Sequence, residues 1–428
     1  MTNPAQRFTL LFTHRLRARI LVIALLWAPM IVALQSAQAQ TFSVLHAFTG
    51  GGDGSAPVGG LAMSGAGTFY GTAYRSGTGG GGDNGVAYKL SLHQSSWLLT
   101  PLYEFTHGSD GANPRGGITI GPSGVPYGTT SGGEGGNGTV FKLTPPLTPC
   151  KGALCYWNET TLHGFTGGDG SLPEYSNLTF DGAGNIYGTT AGGGGLFGVG
   201  VVFELTPSGG GWTETVLYEF GHGSDGAMPY GGVTFDTAGN IYTTTNIGGG
   251  ASRGTVVKLT PSDGNWTESI LYSFSNDQNG YYPGTGLLRD GLGNLYGTTT
   301  SGGSGGGGTV FELTPSGGQW NFSLLYGFSG QGGPAAGNLT MDSAGNLYGA
   351  TNTDGMFNFG MVFKLSLLNG SWTLTDLHDF TGGSDGAFPS NHVVLDSSGN
   401  LYGTAFGGGN YGGTCIRTGC GVIWEITP

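Results

Sequence analysis

Carboxylates followed by glycine recur along this chain in a pattern that could hold a cation. Asp53, Asp110, Asp169, Asp225 and Asp385 each precede Gly in loops of the form Gly108-Ser109-Asp110-Gly111-Ala112-Asn113-Pro114. Oxygen ligands gathered on one rim would suit Ca²⁺. Each loop supplies only one carboxylate, not the dense Asp/Asn spacing of a dedicated calcium loop, so Asp-Gly reads first as turn chemistry. Aromatic residues share these loops and the Gly-rich loops beside them: Tyr175, Tyr230, Tyr281, Tyr282 and Phe388, with Phe197, Phe357, Phe359 and Tyr411. Rings next to Asp and Asn suit a sugar or a peptide; the same rings would also serve to cap a core. The candidate ligand-binding set is therefore Asp110, Asp225, Asp385, Tyr230, Tyr281, Tyr282 and Phe388. Arg289 joins it as the one charged residue at a position otherwise held by Met63, Ile120, Phe180, Phe235, Met341 and Leu395. It reads as an inner-channel ligand contact or as a local exception paired with an acid.

Signals of catalysis are sparse. His107 and His222 lie beside an Asp-Gly, but in two loops only. His46, His163 and His378 stand where the other copies have Tyr103, Tyr218, Tyr272 and Tyr326, and read as packing variants. The Gly runs follow strand-like segments but open no helix, and no nucleophile elbow, zinc helix or phosphate loop is present. No catalytic residue and no required cofactor is assigned.

What must position these residues is a repeat. The stretch Asp342-Ser343-Ala344-Gly345-Asn346-Leu347-Tyr348-Gly349 has near-copies whose Tyr falls at Tyr70, Tyr127, Tyr187, Tyr242, Tyr296, Tyr348 and Tyr402, spaced by 57, 60, 55, 54, 52 and 54 residues. Each period holds four strand-like runs rich in β-branched and aromatic residues and bounded by Gly, Pro and Ser. Gly232-Val233-Thr234-Phe235-Asp236, residues 240–245, residues 254–260 and residues 266–274 are the clearest set. This pattern predicts an all-β, seven-bladed β-propeller with four antiparallel strands per blade. A parallel β-helix is the rival, with shorter repeats and fewer turn types.

The chain ends sharpen the prediction. Residues 41–48 resemble a fourth strand but precede the first complete set, and residues 421–428 resemble a third strand with nothing after it. The N-terminal strand should complete the last blade and remove the open seam. Within each period Gly67, Gly124, Gly184, Gly239, Gly293, Gly345 and Gly399 mark the left-handed position of a tight hairpin. Asp181, Asp236, Asp290, Asp342 and Asp396 should accept backbone N–H groups across that turn. Copies one and two have Ser64 and Gly121 there, which fits a turn and disfavours a site. The recurring Trp97, Trp157, Trp212, Trp266, Trp320 and Trp372 should pack between sheets. Lys89, Lys142, Glu204, Lys258, Glu312, Lys364 and Glu425 share one third-strand position. That indifference to sign reads as a solvated site.

The motifs Leu217-Tyr218-Glu219-Phe220, Ser224-Asp225-Gly226-Ala227, Asp342 to Gly349 and Gly308-Thr309-Val310-Phe311-Glu312-Leu313-Thr314-Pro315 together resemble the GloVer (Gloeo/Verruco) tandem repeat of exported bacterial proteins. The resemblance covers residues 41–428. It implies a repeat scaffold of choice-of-anchor type and carries over no activity or catalytic residue. This chain is expected to lack the C-terminal anchor, since it reaches Pro428 without one.

Export is also expected from the first 39 residues. Arg7, Arg15, Arg17 and Arg19 precede an apolar run over residues 20–34, and Ala37-Gln38-Ala39 offers a cleavage site. The run is short for a membrane span. Losing this segment takes four of the 14 Lys+Arg and no acid, leaving 10 against 26 Asp+Glu, or −16 in place of −12. So acidic a chain disfavours nucleic acid and anionic membranes. A non-catalytic monomer in the periplasm or medium, binding an extracellular glycan or protein through its loop-rich face, is expected; the alternatives are a polysaccharide-acting hydrolase or lyase with its site in the central funnel and a structural envelope protein. Gly at 91 of 428 residues would suggest disorder, but 12% aromatic residues in register oppose it. Cys150, Cys155, Cys415 and Cys420 form two C-x4-C pairs. The first lies between strands three and four of blade two, the second between strands two and three of blade seven. Those loops sit on opposite faces, so each pair should bridge locally and share no zinc.

Overall fold

The computed structural model describes residues 40–75, 83–133, 135–147, 155–221, 223–330, 338–412, 415 and 417–428, with backbone alone at Ser390 and Asn391. The leader, Cys150 and His222 lie outside the described residues.

Third strands are continuous apolar runs because both of their faces are buried. In Thr255–Ser262, Val256 enters one inter-blade core with Phe274, Leu295 and Phe311, and Val257 enters the opposite one with Val202, Phe220 and Ile241. The antiparallel hairpins made by these strands assemble into seven sheets, each ordered first-second-third-fourth strand, arranged in a ring as a seven-bladed β-propeller. In blade four the strands are Thr234–Phe235, Ile241–Thr245, Thr255–Ser262 and Asn265–Ser273. First strands are shorter than expected, two residues in five of the blades. They line the ring's inside and touch their neighbours: Thr119 Oγ1 donates to Leu178 O at 2.9 Å and Thr179 Oγ1 to Val233 O at 2.8 Å. The six third–fourth pairings within blades one to six carry a bulge at the same place, Val256/Val257 in blade four. Repeated there, it twists every blade alike.

Closure follows the expected route. Thr41–Ala47 is the fourth strand of blade seven, beside Val422–Thr427, Leu401–Gly407 and Ala387–Leu395. Phe48 continues it, donating its N–H to Gly421 O at 3.0 Å and burying its ring 5.4 Å from that of Tyr88 in blade one.

Two glycine devices hold the blades at their spacing. The second-strand Gly faces the third-strand aromatic: Gly71↔Tyr88, Gly128↔Phe141, Gly188↔Phe203, Gly297↔Phe311, Gly349↔Phe363 and Gly403↔Trp424. A Cβ on Gly297 would sit 2.5 Å from Phe311 Cζ. Blade four exchanges both partners, Thr243 against Val257, which keeps the combined volume. The second device joins blades. Gly85, Gly138, Gly200, Gly254, Gly360 and Gly421, all with φ between +88° and +107°, each lie under a proline ring of the next loop (Pro114, Pro173, Pro229, Pro283, Pro389 and Pro57). The residue before each proline is left-handed although it is not glycine: Asn113, Leu172, Met228, Tyr282, Phe388 and Ala56, with φ of 54–59°. Pre-proline residues disfavour that conformation, and such strain persists only when neighbours fix it. Here each N–H donates to the preceding blade, as Tyr282 N does to Arg253 O at 2.9 Å and Phe388 N to Phe359 O at 2.7 Å.

The hairpin acids cap their own turns. Asp342 Oδ1 accepts the N–H groups of Ala344 and Asn346, both at 2.9 Å; Oδ2 accepts Asn346 Nδ2 at 2.7 Å and the Tyr348 hydroxyl at 2.9 Å. Burial would raise the Asp342 pKa, but these donors outweigh it and hold the carboxyl below its usual range. Ser64 and Gly121 keep the backbone turn without the carboxylate. The Lys/Glu position differs from the solvated site expected. It lies opposite the second-strand Tyr in register. The Tyr187 hydroxyl donates to Glu204 at 2.6 Å, and Lys258 Nζ lies 5.9 Å from the centre of the Tyr242 ring. A phenol offers a donor to an anion and a π-face to a cation, so either sign is accepted.

Candidate functional site: the loop-rich face

The hairpins and the third-to-fourth turns occupy one face of the ring; the longer loops occupy the other. On that loop-rich face each rim aspartate is turned into its own loop. Asp110 accepts Thr106 N and Thr106 Oγ1 at 2.7 Å, Gly108 N at 3.1 Å and the Tyr103 hydroxyl at 3.1 Å. Asp225 accepts Gly221 N at 2.7 Å, Gly223 N at 3.2 Å and the Tyr218 hydroxyl at 3.3 Å. Asp385 accepts Thr381 N at 2.8 Å and the Thr381 hydroxyl, with His378 Nε2 3.3 Å away. His46 and His163 meet Asp53 and Asp169 in the same way, at 3.1 and 3.0 Å. Tyr or His in the fourth strand is thus one hydrogen-bonding position, with Asn279, in the loop entering blade five, replacing the acid opposite Tyr272 of blade four. These carboxylates lie one per loop and close that loop.

The aromatic candidates divide into separate groups. Tyr281 and Tyr282 meet edge to face at 4.8 Å, and Arg253, ion-paired with Asp277, lies 4.8 Å over the Tyr281 ring. Phe388 packs on Phe359 at 5.6 Å. Tyr230 meets Tyr175 edge to face at 6.1 Å. Arg289 joins none of them. It ends the first strand of blade five, where the chain enters the Asp290 hairpin, so it belongs to the opposite face. It occupies the place from which Phe235 packs on Tyr187 at 4.9 Å one blade earlier, lies close enough to the Tyr242 hydroxyl to act on it electrostatically, and pairs with no acid among the described residues.

Tyr175 and Tyr230 are part of a larger cluster. Arg115, just after Pro114, donates from Nη2 to the Tyr74 hydroxyl at 3.1 Å and from Nη1 to the Tyr175 hydroxyl at 3.3 Å. Its Nη1 lies 3.5 Å from Glu174 Oε1, and its Cζ 4.5 Å from the centre of the Tyr74 ring. All five side chains are half-buried. Burial raises the Glu174 pKa, with Arg115 only partly opposing it, and burial also raises the pKa values of Tyr175 and Tyr230. The phenols therefore stay protonated at neutral pH. The outcome is a patch of rings, one guanidinium and one carboxyl that spans the loops entering blades two, three and four. Arg115 and Glu174 were not among the sequence candidates. Comparing the residue after each rim proline (Val58, Arg115, Glu174, Tyr230, Gly284, Ser390) would have singled them out.

Inside the ring, the first strands of blades seven, one and two line an open pocket of about 410 Å³, with Leu61, Met63, Ile118, Asn177 and His392 among its walls. His392 Nδ1 is sealed from solvent without a partner, and burial lowers the pKa of its imidazole. In blade seven Cys415 and Cys420 form the expected local disulfide, with Cα atoms 5.1 Å apart. Cys155 is also disulfide-bonded. No helix among the described residues is long and apolar enough to cross a membrane.

The Gloeobacter/Verrucomicrobia repeat matches residues 29–195 and 175–416, so the chain belongs to that repeat family. No curated protein matches it by sequence. Solved propellers share its fold at low identity. The polysaccharide lyase Uly1 is 12% identical, with a TM-score of 0.51 over 93% of this chain and 95% of its own. A PL25 ulvan lyase is 10% identical, with a TM-score of 0.52 over 86% of this chain and 94% of its own. The extracellular domain of the hybrid two-component system BT4673 from B. thetaiotaomicron is 12% identical, with a TM-score of 0.53 over 90% of this chain and 39% of that one. At these identities the likeness extends to the fold alone.

Proposed function

We propose that this propeller is an exported, non-catalytic binding module that takes a neutral glycan chain on its loop-rich face. The observation that carries this reading is the patch of Tyr74, Arg115, Glu174, Tyr175 and Tyr230. Rings offer apolar faces to a pyranose, and an adjoining guanidinium and carboxyl offer donors and acceptors to its hydroxyls. The net acidity of the chain argues against a polyanion. Catalysis is less well supported. Cleaving a polysaccharide by elimination needs a base poised to take a proton near neutral pH; burial moves the phenols of the patch away from that range and leaves Glu174, held by Arg115, as its candidate base.

Binding of the purified chain to a glycan array, followed by titration with the best neutral oligosaccharide, tests the proposal. Arg115→Ala and Tyr230→Ala should each weaken binding tenfold or more with unchanged melting. If no neutral glycan binds, or if both variants bind like the parent, the patch is not the site. Release of unsaturated oligosaccharides from a polyuronide would replace this reading with a lyase.

A further inference from the structure

The fourth strands carry a second departure from the repeat, at the blade junctions. Beside the rim loop, the fourth strand of the following blade presents Leu99, Phe322, Leu374 or Phe42 at four junctions, of which those of Leu99 and Phe42 have a rim aspartate, Asp53 and Asp385. At three consecutive ones it presents an acid: Glu159 near Asp110, Glu214 near Asp169 and Glu268 near Asp225. At the first and third of these the fourth-strand partner is a tyrosine, Tyr103 or Tyr218. At the middle one, between blades two and three, it is His163. There the His163 nitrogen and carboxylate oxygens of Asp169 and Glu214 all lie within 4.8 Å of one another. Among the described residues no other such trio of His, Cys, Asp and Glu occurs.

We infer that His163, Asp169 and Glu214 form a binding site for a single divalent transition-metal ion of the Zn²⁺ class. One imidazole and two carboxylates suit Zn²⁺, leaving a fourth position for water. Two observations beyond the clustering of acids support this. Glu214 Oε1, like Glu268 Oε1 at the next junction, is sealed from solvent with no hydrogen-bond partner, and among the described residues only beside Glu214 do a histidine and an aspartate complete a ligand set. Asp169 is already oriented as a ligand: Thr166 N and Thr166 Oγ1 hold Oδ1 at 2.8 and 2.9 Å, leaving Oδ2 towards His163. Such outer contacts fix a metal-ligating carboxylate. His163 and Asp169 keep 19% and 20% of their side-chain surface exposed, so an ion can enter from the rim. Tetrahedral ligand atoms about 2.0–2.2 Å from Zn²⁺ lie roughly 3.3–3.6 Å apart, so the three groups, all within 4.8 Å of one another, need only a local adjustment around an ion.

The neighbouring junctions provide the controls. The tag-free intact chain, stripped with chelator, is titrated with Zn²⁺ by calorimetry and with Co²⁺ by visible absorption. One equivalent should bind. His163→Tyr reproduces the Tyr-Asp-Glu set of the flanking junctions, so it keeps the fold and should abolish that equivalent. Glu214→Gln should weaken Zn²⁺ at least tenfold. Tyr218→His should create a second equivalent with Asp225 and Glu268. Absence of Zn²⁺ and Co²⁺ binding by the parent, or equal binding by folded His163→Tyr, would overturn the assignment.

Discussion

Replacing Gly254 with Ala tests whether the glycine–proline contact between blades holds the ring. Gly254 has φ of +95°, and a Cβ there would lie 2.6 Å from Pro283 Cδ, 2.5 Å from Thr245 O and 2.8 Å from Asn246 O. None of these is the end of a flexible side chain. A left-handed alanine costs roughly 1–2 kcal/mol, and forcing a methyl into a packed site adds roughly 1–3 kcal/mol. The expected loss is therefore about 2–5 kcal/mol. Gly239→Ala is the matched control: its φ is +82°, but nothing lies within 4 Å of the added Cβ. It should lose only the conformational part, about 1–2 kcal/mol. At the scale of large domains, where 1 kcal/mol shifts Tm by about 2–4 °C, thermal melting separates the two. Adding Pro283→Ala to Gly254→Ala should recover part of the loss, since it removes the nearest ring atom. Equal melting of the two single variants would refute the contact as a determinant of ring spacing.

Two further outcomes follow from the junctions. Burial, reinforced by Asp225, raises the Glu268 pKa to about 7. The folded chain then holds more protons than the unfolded one between about pH 4.5 and 7, so this carboxyl's contribution is full below that window and lost as pH rises through it. After allowance for solvent screening the effect is about 1 kcal/mol. Glu268→Gln should raise Tm at pH 8 and leave it nearly unchanged at pH 5; a larger gain at pH 5 would contradict the assignment. Phe48→Ala removes a fully buried ring from the core joining blades seven and one and should cost about 3–5 kcal/mol. If urea unfolding showed no loss, closure by the N-terminal strand would contribute nothing to stability.

The scaffold was legible in the sequence because its signals are local and repeated seven times. The hairpin Gly, the capping Asp and the period-spanning Tyr each report a turn or a register that needs no knowledge of the neighbouring blade. What was not legible depends on two blades at once. Gly254 is constrained by Pro283, 29 residues later in the chain. The Lys258 position was misread because its partner, the Tyr242 ring, lies across a strand pair. Arg289 was grouped with residues of the other face because an odd charge in a repeat says that a position differs, not where its side chain goes. Glu159, Glu214 and Glu268 escaped notice for the reverse reason. A glutamate in a fourth strand is unremarkable until the preceding blade's aspartate is found beside it.

These departures are not scattered around the ring. The patch built on Arg115 spans the loops that enter blades two, three and four. The three acid pairs lie at the junctions between blades one and two, two and three, and three and four. A repeat held only by packing would accept substitutions anywhere that Leu99, Phe322, Leu374 and Phe42 can stand. Three half-buried acids in succession are instead unfavourable for the fold, since each keeps a carboxyl near another carboxylate with part of its hydration removed. The proposed glycan patch and the proposed metal site thus both fall in one sector, blades one to four. Blade seven holds the closing N-terminal strand and the Cys415–Cys420 disulfide, while Cys155, also disulfide-bonded, lies in blade two.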